Sequence, residues 1–204
     1  MARPTLSSTQ VAAFRSEATR VAMELFVRDG YERFSLRTLA KALGCSHATP
    51  YRYFENKQEI FACARAAGFR QFAEALRSAL DAAADPETQL RALARAYLEF
   101  SQSQAAAFTV IFRMGEADDH RYPFVNEAAA EAWQVVLDTV ALAIRRGALA
   151  GNINTVAHTL WAGIHGVATL ELAQKLAMGR DGITVLDAMV DALLRAHAAP
   201  EKDE

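Results

Sequence analysis

Ten residues between positions 35 and 57 are candidates for contacting a polyanion, and nine of them have polar side chains. They lie in the stretch SLRTLAKALGCSHATPYRYFENK. Hydroxyl, phenol, imidazole, guanidinium and ammonium groups donate hydrogen bonds to phosphate oxygens, and several of them can also reach the edges of bases. The candidates are Ser35, Thr38, Ser46, His47, Ala48, Thr49, Tyr51, Arg52, Tyr53 and Lys57. This combination predicts a contact surface for double-stranded DNA.

Two short helices joined by a glycine turn would position these side chains. Ser35 is a good N-cap for the first helix, and Gly44 supplies the backbone freedom that ends it. Ser46 is a second N-cap, which predicts that the second helix opens there. Pro50 and Phe54 are four residues apart and share one inward face of that helix. Tyr51 and Arg52 therefore face outward. The arrangement is typical of a helix-turn-helix.

A third helix follows directly. Asn56 with Glu59 three residues later forms a capping-box pattern, and the apolar residues that follow predict a helix to about residue 81. Lys57 lies in the first turn, where a cation opposes the helix dipole. A nearby phosphate would explain its position, so we expect Lys57 to contact the DNA backbone.

At these residues the chain resembles the TetR family of bacterial transcriptional regulators. The resemblance covers about the first third of the sequence: a helix over about residues 9–30 that ends in a Gly-Tyr-x-x-Phe stretch, then SLRTLAKALGCS, then YRYFENKQEIF. Pro50 departs from the aliphatic residue usual in that family. The resemblance implies an all-α fold, with a three-helix DNA-binding domain over residues 1–55 and an effector-binding and dimerisation domain over residues 56–204.

The rest of the sequence also reads as helices separated by short breaks. Asp85-Pro86 marks one start, and further helices are predicted over residues 105–114, 123–146, 154–176 and 183–197. Strand-like alternation of apolar and polar residues does not occur over any length. We therefore expect about nine helices in all.

The last two predicted helices are candidates for a dimer interface. Trp161, His165 and Gly166 resemble the C-terminal domain of TetR regulators named for a Trp-His-Gly signature. In such proteins these helices form a four-helix interface between two subunits. The residues assigned to it are Leu160, Ile164, Val167, Leu186, Met189, Val190, Leu193 and Leu194. The alternative is an internal packing pair in a monomer.

Aromatic and apolar residues are concentrated in the middle helices, where this family binds its effectors. The candidates are Tyr97, Phe100, Phe108, Ile111, Phe112, Met114, Trp133, Leu137, Trp161 and His165. They predict a pocket for a small apolar or aromatic compound. The alternative for each of them is ordinary core packing.

Charge is unevenly distributed along the chain. Residues 1–60 contain nine Lys or Arg and six Asp or Glu, a net charge of +3, whereas residues 61–204 contain 13 and 18, a net charge of −5. A basic end on an acidic body orients the chain toward DNA without making it a general nucleic-acid coat. Cys45 and Cys63 have no zinc-type partner set, so reduced structural thiols are favoured over a redox switch.

Other function classes find less support. The sequence contains no apolar run long enough to span a membrane and no apolar signal segment at its start, so we expect a cytoplasmic protein. An enzyme built in a helical bundle is the alternative from another class, but it needs a nucleophile with its base or a metal set, and neither is visible. We expect no cofactor. The leading interpretation is a homodimeric repressor released from DNA by an effector; a ligand-independent or activating regulator of the same fold is the alternative.

Overall fold

The computed structural model describes residues 7–112, 114, 121–176 and 179–198. These residues form eight α-helices and one turn of 3-10 helix, with no strand among them, which confirms the all-α prediction. The helices are α1 (Ser8–Asp29), α2 (Leu36–Ala42), the 3-10 turn (Pro50–Arg52), α3 (Lys57–Ser78), α4 (Pro86–Ser103), α5 (Ala105–Phe112), α6 (Pro123–Arg145), α7 (Ile153–Leu172) and α8 (Gly182–Ala196). Within the described ranges, no helix joins enough length to enough apolar character to cross a lipid bilayer.

Side-chain caps explain where several helices begin. Ser7 and Gln10 form a reciprocal capping box at the start of α1. Asp85 caps α4 by accepting a hydrogen bond of 3.0 Å from the backbone N–H of Thr88, with proline at the first helical position as predicted. Asp181 caps α8 in the same way. Local chemistry of this kind sets element boundaries almost independently of tertiary structure.

The chain divides into two compact units. The first comprises residues 1–69 and 106–129, and the second comprises residues 70–105 and 130–204. The first unit therefore contains α1, α2, the 3-10 turn and the beginning of α3. The predicted domain boundary after residue 55 separates functions, whereas these units follow packing, so that boundary stays a prediction.

Aromatic side chains fill the core of the first unit. Phe26 of α1 lies 4.1 Å from Phe34 and 4.9 Å from Phe61 of α3, measured between ring centroids. In the same unit Gly68 lets α5 approach α3 closely, because a Cβ there would stand 2.7 Å from the Cγ2 of Ile111. Buried Leu36, Leu39 and Ala40 attach α2 to this core. α2, which carries candidate DNA contacts, thus packs against the hydrophobic core of the first unit.

The second unit is organised around α4, α7 and α8, which pack against one another in pairs. Gly163 on α7 accommodates the thioether of Met189 on α8, since a Cβ at that glycine would stand 2.6 Å from the sulfur. Two ion pairs join α4 to α8: Arg91 with Asp191 at 2.6 Å, and Arg95 with Asp187 at 2.9 Å.

Candidate nucleic-acid interface

The first helix of the predicted motif and its glycine turn are confirmed. The Ser35 Oγ accepts from the Thr38 N–H at 3.1 Å, and the Thr38 Oγ1 accepts from the Ser35 N–H at 3.1 Å. Gly44 has a φ of +65°, a conformation that favours glycine, and the following Cys45 N–H donates to the Ala40 carbonyl at 3.0 Å. The capping box thus closes the N-terminal end of α2, and the bond from Cys45 closes its C-terminal end just before the candidate contacts.

The next segment, residues 46–54, is called the recognition segment below. The prediction of an α-helix opening at Ser46 was wrong, because only Pro50–Arg52 are helical and they form a 3-10 turn. An α-helix capped at Ser46 would make its first backbone bond from the N–H of residue 50, which proline lacks. The segment instead uses i to i+3 bonds, from Thr49 to Ser46 at 2.9 Å and from Arg52 to Thr49 at 3.1 Å. The Ser46 and Thr49 hydroxyls are bonded to each other at 2.8 Å.

Buried side chains anchor the recognition segment. Pro50 is buried and Phe54 is 2% exposed, so the predicted inward face is confirmed even though the helix is not. Tyr53 is half-buried, and its ring lies 4.2 Å from that of Phe14 on α1. Tyr53, one of the candidate DNA contacts, is therefore also one of the anchors of the segment.

The opposite side of the recognition segment faces solvent. Tyr51 is 61% exposed, and Arg52 beside it is also exposed. The exposed predicted contact residues are Thr38, Ser46, His47, Ala48, Tyr51 and Arg52, and the half-buried ones are Ser35, Thr49, Tyr53 and Lys57. Most candidates of the recognition segment are thus accessible to solvent, and Thr49 and Tyr53 are the half-buried exceptions.

Lys57 is held at the N-terminus of α3 by its neighbours. Its ammonium lies 4.1 Å from the centroid of the Tyr31 ring and donates to the Glu32 carbonyl at 3.2 Å. Asn56 caps α3 through the N–H of Glu59 at 2.9 Å. The Glu59 carboxylate accepts from the Glu55 N–H, one residue earlier than the predicted capping box requires. A fixed cation at this point is well placed for a phosphate.

Two basic residues were missed by the sequence analysis. Arg37 and Lys41 are four residues apart on α2, and both are exposed on the side opposite the buried Leu36 and Leu39. Basic residues at this spacing on the polar side of the first helix were visible in the sequence. They add positive charge to the element that precedes the recognition segment.

The predicted effector residues do not form one set. Six of them, Tyr97, Phe100, Trp133, Leu137, Trp161 and His165, belong to the second unit, whereas Phe108, Ile111, Phe112 and Met114 belong to the first. In the first unit, Phe112 contacts Phe108 at 5.0 Å and Phe69 at 6.1 Å between ring centroids. Phe108 and Ile111 are buried there. Core packing, the alternative interpretation, describes these two residues.

The effector residues of the second unit include a polar network. The Tyr97 hydroxyl lies 2.9 Å from the Nδ1 of His165 and accepts the indole N–H of Trp161 at 3.2 Å. The Trp133 and Trp161 rings are 6.1 Å apart and both are half-buried. Burial raises the pKa of the Tyr97 phenol, and the bond from Trp161 opposes this only in part. The phenol is therefore protonated at neutral pH.

A groove of about 880 Å³ lies along α3 and α4 in the same unit. Its lining includes Phe100 but none of the other predicted effector residues, and it also includes Arg70, Glu74 and Glu99. Charged groups at the lining make it a poor match for a purely apolar compound.

Most of the predicted dimer residues are buried within their own chain. Leu160, Ile164, Val167, Leu186, Val190 and Leu193 are each at most 5% exposed, and Met189 and Leu194 are half-buried. The six buried residues fill the core that α4, α7 and α8 share, so their side chains are not available to a second subunit. The large apolar residues that are exposed on these helices are Leu170, at 44%, and Ile183, at 48%.

Neither cysteine forms a disulfide, and both are half-buried. Among the described residues, no group of three or more His, Cys, Asp or Glu side chains is placed to share a metal ion.

Two family models match the sequence. Residues 18–64 match the model of bacterial regulatory proteins of the tetR family. Residues 90–193 match the model of the tetracyclin repressor-like C-terminal domain, which by itself takes in half of the chain. Neither family name specifies the Trp-His-Gly type, which stays a prediction. A comparison with curated proteins gives no match.

Solved structures share the fold along nearly the whole chain. A protein of unknown function from Rhodococcus sp. RHA1 is 26% identical, with a TM-score of 0.78 over 90% of this chain and 95% of that one. The protein SCO4313 is 25% identical, with a TM-score of 0.75 over 94% of this chain and 100% of that one. A tetR-family bacterial regulatory protein from Rhodococcus RHA1 is 14% identical, with a TM-score of 0.71 over 92% and 98%, and shows the fold alone.

Proposed function

Since this chain belongs to the TetR family and is a DNA-binding transcriptional regulator, we propose that it acts as a homodimeric repressor. The dimer binds a palindromic operator, and a small apolar or aromatic effector releases it. The observation that carries the DNA-binding part is the division of the recognition segment into two sides. Pro50 and Phe54 are buried, whereas Tyr51 and Arg52 are exposed.

The exposed side chains of the recognition segment are assigned to the DNA. The guanidinium of Arg52 suits the O6 and N7 acceptors of guanine, and the phenol of Tyr51 suits a phosphate or a base edge. Lys57, Arg37 and Lys41 supply positive charge for phosphates around this contact. Phosphate contacts set the affinity and its salt dependence, while base contacts set the sequence preference.

The proposed dimer face is formed by Ala162, Gly166 and Leu170 of α7 with Ile183 of α8. Leu170 and Ile183 are the exposed large apolar residues of these helices, so a second copy would remove them from water. Gly166 lies inside α7, and apart from its chain neighbours and the adjacent backbone of its own helix, no described heavy atom comes within 4 Å of the position that a Cβ would take. A glycine inside a helix costs about 1 kcal/mol relative to alanine. Close approach of the partner helix would explain it.

The proposed effector site is the cluster of Trp133, Trp161, Tyr97 and His165. Half-buried indole rings offer apolar surface, and the phenol–imidazole pair offers hydrogen bonding at one point. This combination suits a compound with an aromatic or aliphatic body and one polar group. The effector can release the operator only if it binds the DNA-free conformation more tightly than the bound one.

Selection from a random-sequence DNA pool tests the DNA-binding part. The wild-type protein should select an inverted repeat whose half-sites are about 34 Å apart or a multiple of that distance. The variant R52A should bind the selected duplex less tightly and discriminate less at one position of each half-site. A direct repeat would contradict a two-fold dimer.

Tryptophan fluorescence tests the effector part. The sequence contains two tryptophans, Trp133 and Trp161, and both lie in the proposed site, so the intrinsic signal reports on this cluster. Members of a library of apolar and aromatic compounds that change the fluorescence should also dissociate the selected duplex. Compounds that bind equally well to the free and the DNA-bound protein would favour a ligand-independent regulator.

A further inference from the structure

Arg15 of α1 contacts the C-terminal end of the recognition segment. Arg15 donates through Nη1 to the carbonyl of Tyr53 and through Nη2 to the Oε1 of Glu59 at 2.8 Å. The same Nη2 lies 3.6 Å from the Sγ of Cys63. The guanidinium carbon stands 4.5 Å from the centroid of the Phe54 ring. A single planar group therefore connects α1, the end of the recognition segment and the first two turns of α3.

This connection matters because the recognition segment has little backbone structure of its own. Its regular part is the 3-10 turn Pro50–Arg52, and the bonds from Tyr53 and Phe54 both end on the Pro50 carbonyl, at 3.0 Å each. Such a short turn is not held in direction by a ladder of helical bonds. Its orientation depends on what its ends are attached to. Arg15 bonds the carbonyl immediately after the turn and stacks on the next residue.

The electrostatics of Arg15 keep this connection fixed. Burial alone would lower the pKa of Arg15, but the hydrogen bond with Glu59 and the charge of that carboxylate raise it above its ordinary value. The Arg15 and Glu59 side chains are 36% and 17% exposed, so solvent competes only in part for their ion pair. Glu59 is itself tied to the backbone N–H of Glu55 at 2.7 Å. The guanidinium thus has a defined position.

We propose that Arg15 is the positioning residue of the DNA contact: without touching DNA, it sets the direction in which Tyr51 and Arg52 project. The inference rests on the proposed DNA-binding function. Lysine is a poor substitute, since one ammonium cannot bond a carbonyl and a carboxylate in the same plane and also stack on a ring.

The test compares R15A and R15K with R20A. Arg20 is on the same helix and carries the same charge, but its partners are Glu17 and Glu24 of α1, so R20A removes a charge and ion pairs without touching the recognition segment. The probe is the duplex that the wild-type protein selects from a random pool, with a scrambled duplex of equal length as the non-specific reference. Affinities are measured over a series of salt concentrations.

We expect R15A to bind the selected duplex about tenfold or more weakly, with unchanged binding to the scrambled duplex and an unchanged salt slope. R15K should lose most of the same affinity, and R20A should stay within about twofold of wild type. Hydrogen exchange supplies a second reading that does not need DNA. The amides of Tyr53 and Phe54 should exchange faster in R15A and R15K, while the amides of α1 keep their protection.

Three results would overturn the inference. The first is that R15A binds the selected duplex with the same affinity as R20A. Equal losses on both duplexes, with a salt slope smaller by about one, would make Arg15 a phosphate contact. Unchanged exchange at Tyr53 and Phe54 would remove the positioning role. If R15A does not fold, the same affinity and exchange measurements on R15K test the inference. If the wild type selects no duplex, the proposed function fails, and the exchange measurement still tests whether Arg15 positions the segment.

Discussion

Tyr97 and His165 are joined by a hydrogen bond of 2.9 Å between the phenol oxygen and Nδ1 of the imidazole. The same oxygen accepts the indole N–H of Trp161. An indole nitrogen can only donate, so Trp161 leaves the phenol its own proton to donate. When that proton points to Nδ1, a neutral His165 carries its proton on Nε2. The hydrogen bond thus joins a phenol and an imidazole inside the proposed effector site.

Replacing Tyr97 by phenylalanine removes the hydroxyl at the centre of this network. The indole N–H of Trp161 loses its acceptor in a half-buried setting, and we expect the free energy of unfolding to fall by about 1 to 3 kcal/mol. Urea denaturation measures the change. The variant Y51F deletes the same atom from a ring that is 61% exposed, and should change stability by less than about 0.5 kcal/mol. If the free energy of unfolding of Y97F fell by as little as that of Y51F, the network would add no stability.

The cap of α4 predicts a dependence of stability on pH. Hydrogen bonds from the side chain and backbone of Thr88 hold the pKa of Asp85 below its ordinary value of 3.8. A carboxylate with a lowered folded-state pKa stabilises the fold above the unfolded-state pKa and loses that contribution as the pH falls through the folded-state one. D85A should therefore melt below the wild type at neutral pH.

The melting difference between the wild type and D85A should shrink once the pH falls below about 3.8. D85N is the control, because an amide caps without titrating. The difference between D85N and D85A should stay level across the pH series. If the melting difference between the wild type and D85A also stayed level, the charged carboxylate would contribute nothing beyond a neutral cap.

A glutamate at Leu170 or Ile183 should prevent dimerisation. Each substitution places a charge in the proposed dimer face, where the partner would remove it from water without a compensating group. Sedimentation velocity should show monomers that keep the wild-type helix content. V27E is the matched control, since Val27 is 41% exposed on α1, outside the proposed face. Dimers in L170E and I183E, or monomers in V27E, would place the interface elsewhere.

A different result is expected for glutamate at Leu186. This residue is fully buried between helices of its own chain, so L186E should unfold the second unit and not simply dissociate a dimer. Loss of helical circular dichroism would distinguish unfolding from dissociation.

The basic residues around the recognition segment should shape the salt dependence of DNA binding. K57A and R37A are each expected to lower the slope of log K against log salt by about one, with similar effects on the selected and scrambled duplexes. R52A should instead reduce the preference for the selected duplex. A K57A protein with the wild-type slope would show that Lys57 serves only the cation–π contact with Tyr31.

Local chemistry was the most predictable part of this fold. Ser35, Gly44 and Asp85 mark the boundaries they were expected to mark, because a cap or a positive φ depends on neighbours within a few residues. Pro50 shows the limit of the same reasoning. It is tolerated near a helix start, but at this position it removes the first α-helical hydrogen bond that a cap at Ser46 would have required.

Long-range packing was much less predictable. An apolar stripe on α8 indicates a buried face, but the stripe does not tell whether α4 of the same chain or a second subunit covers it; Leu186 and Val190 are covered by their own chain. Arg15 was not singled out because its partners Tyr53 and Glu59 are 38 and 44 residues away in sequence. The predicted effector residues fell into two units for the same reason.

The separation of buried from exposed side chains in the recognition segment has an evolutionary consequence. Pro50 and Phe54 hold the segment, while His47, Ala48, Tyr51 and Arg52 are exposed. Substitutions at exposed positions usually change stability by no more than about 0.5 kcal/mol. With these four side chains as the proposed DNA contacts, a lineage could exchange them, and so change the promoter it regulates, without passing through unfolded intermediates.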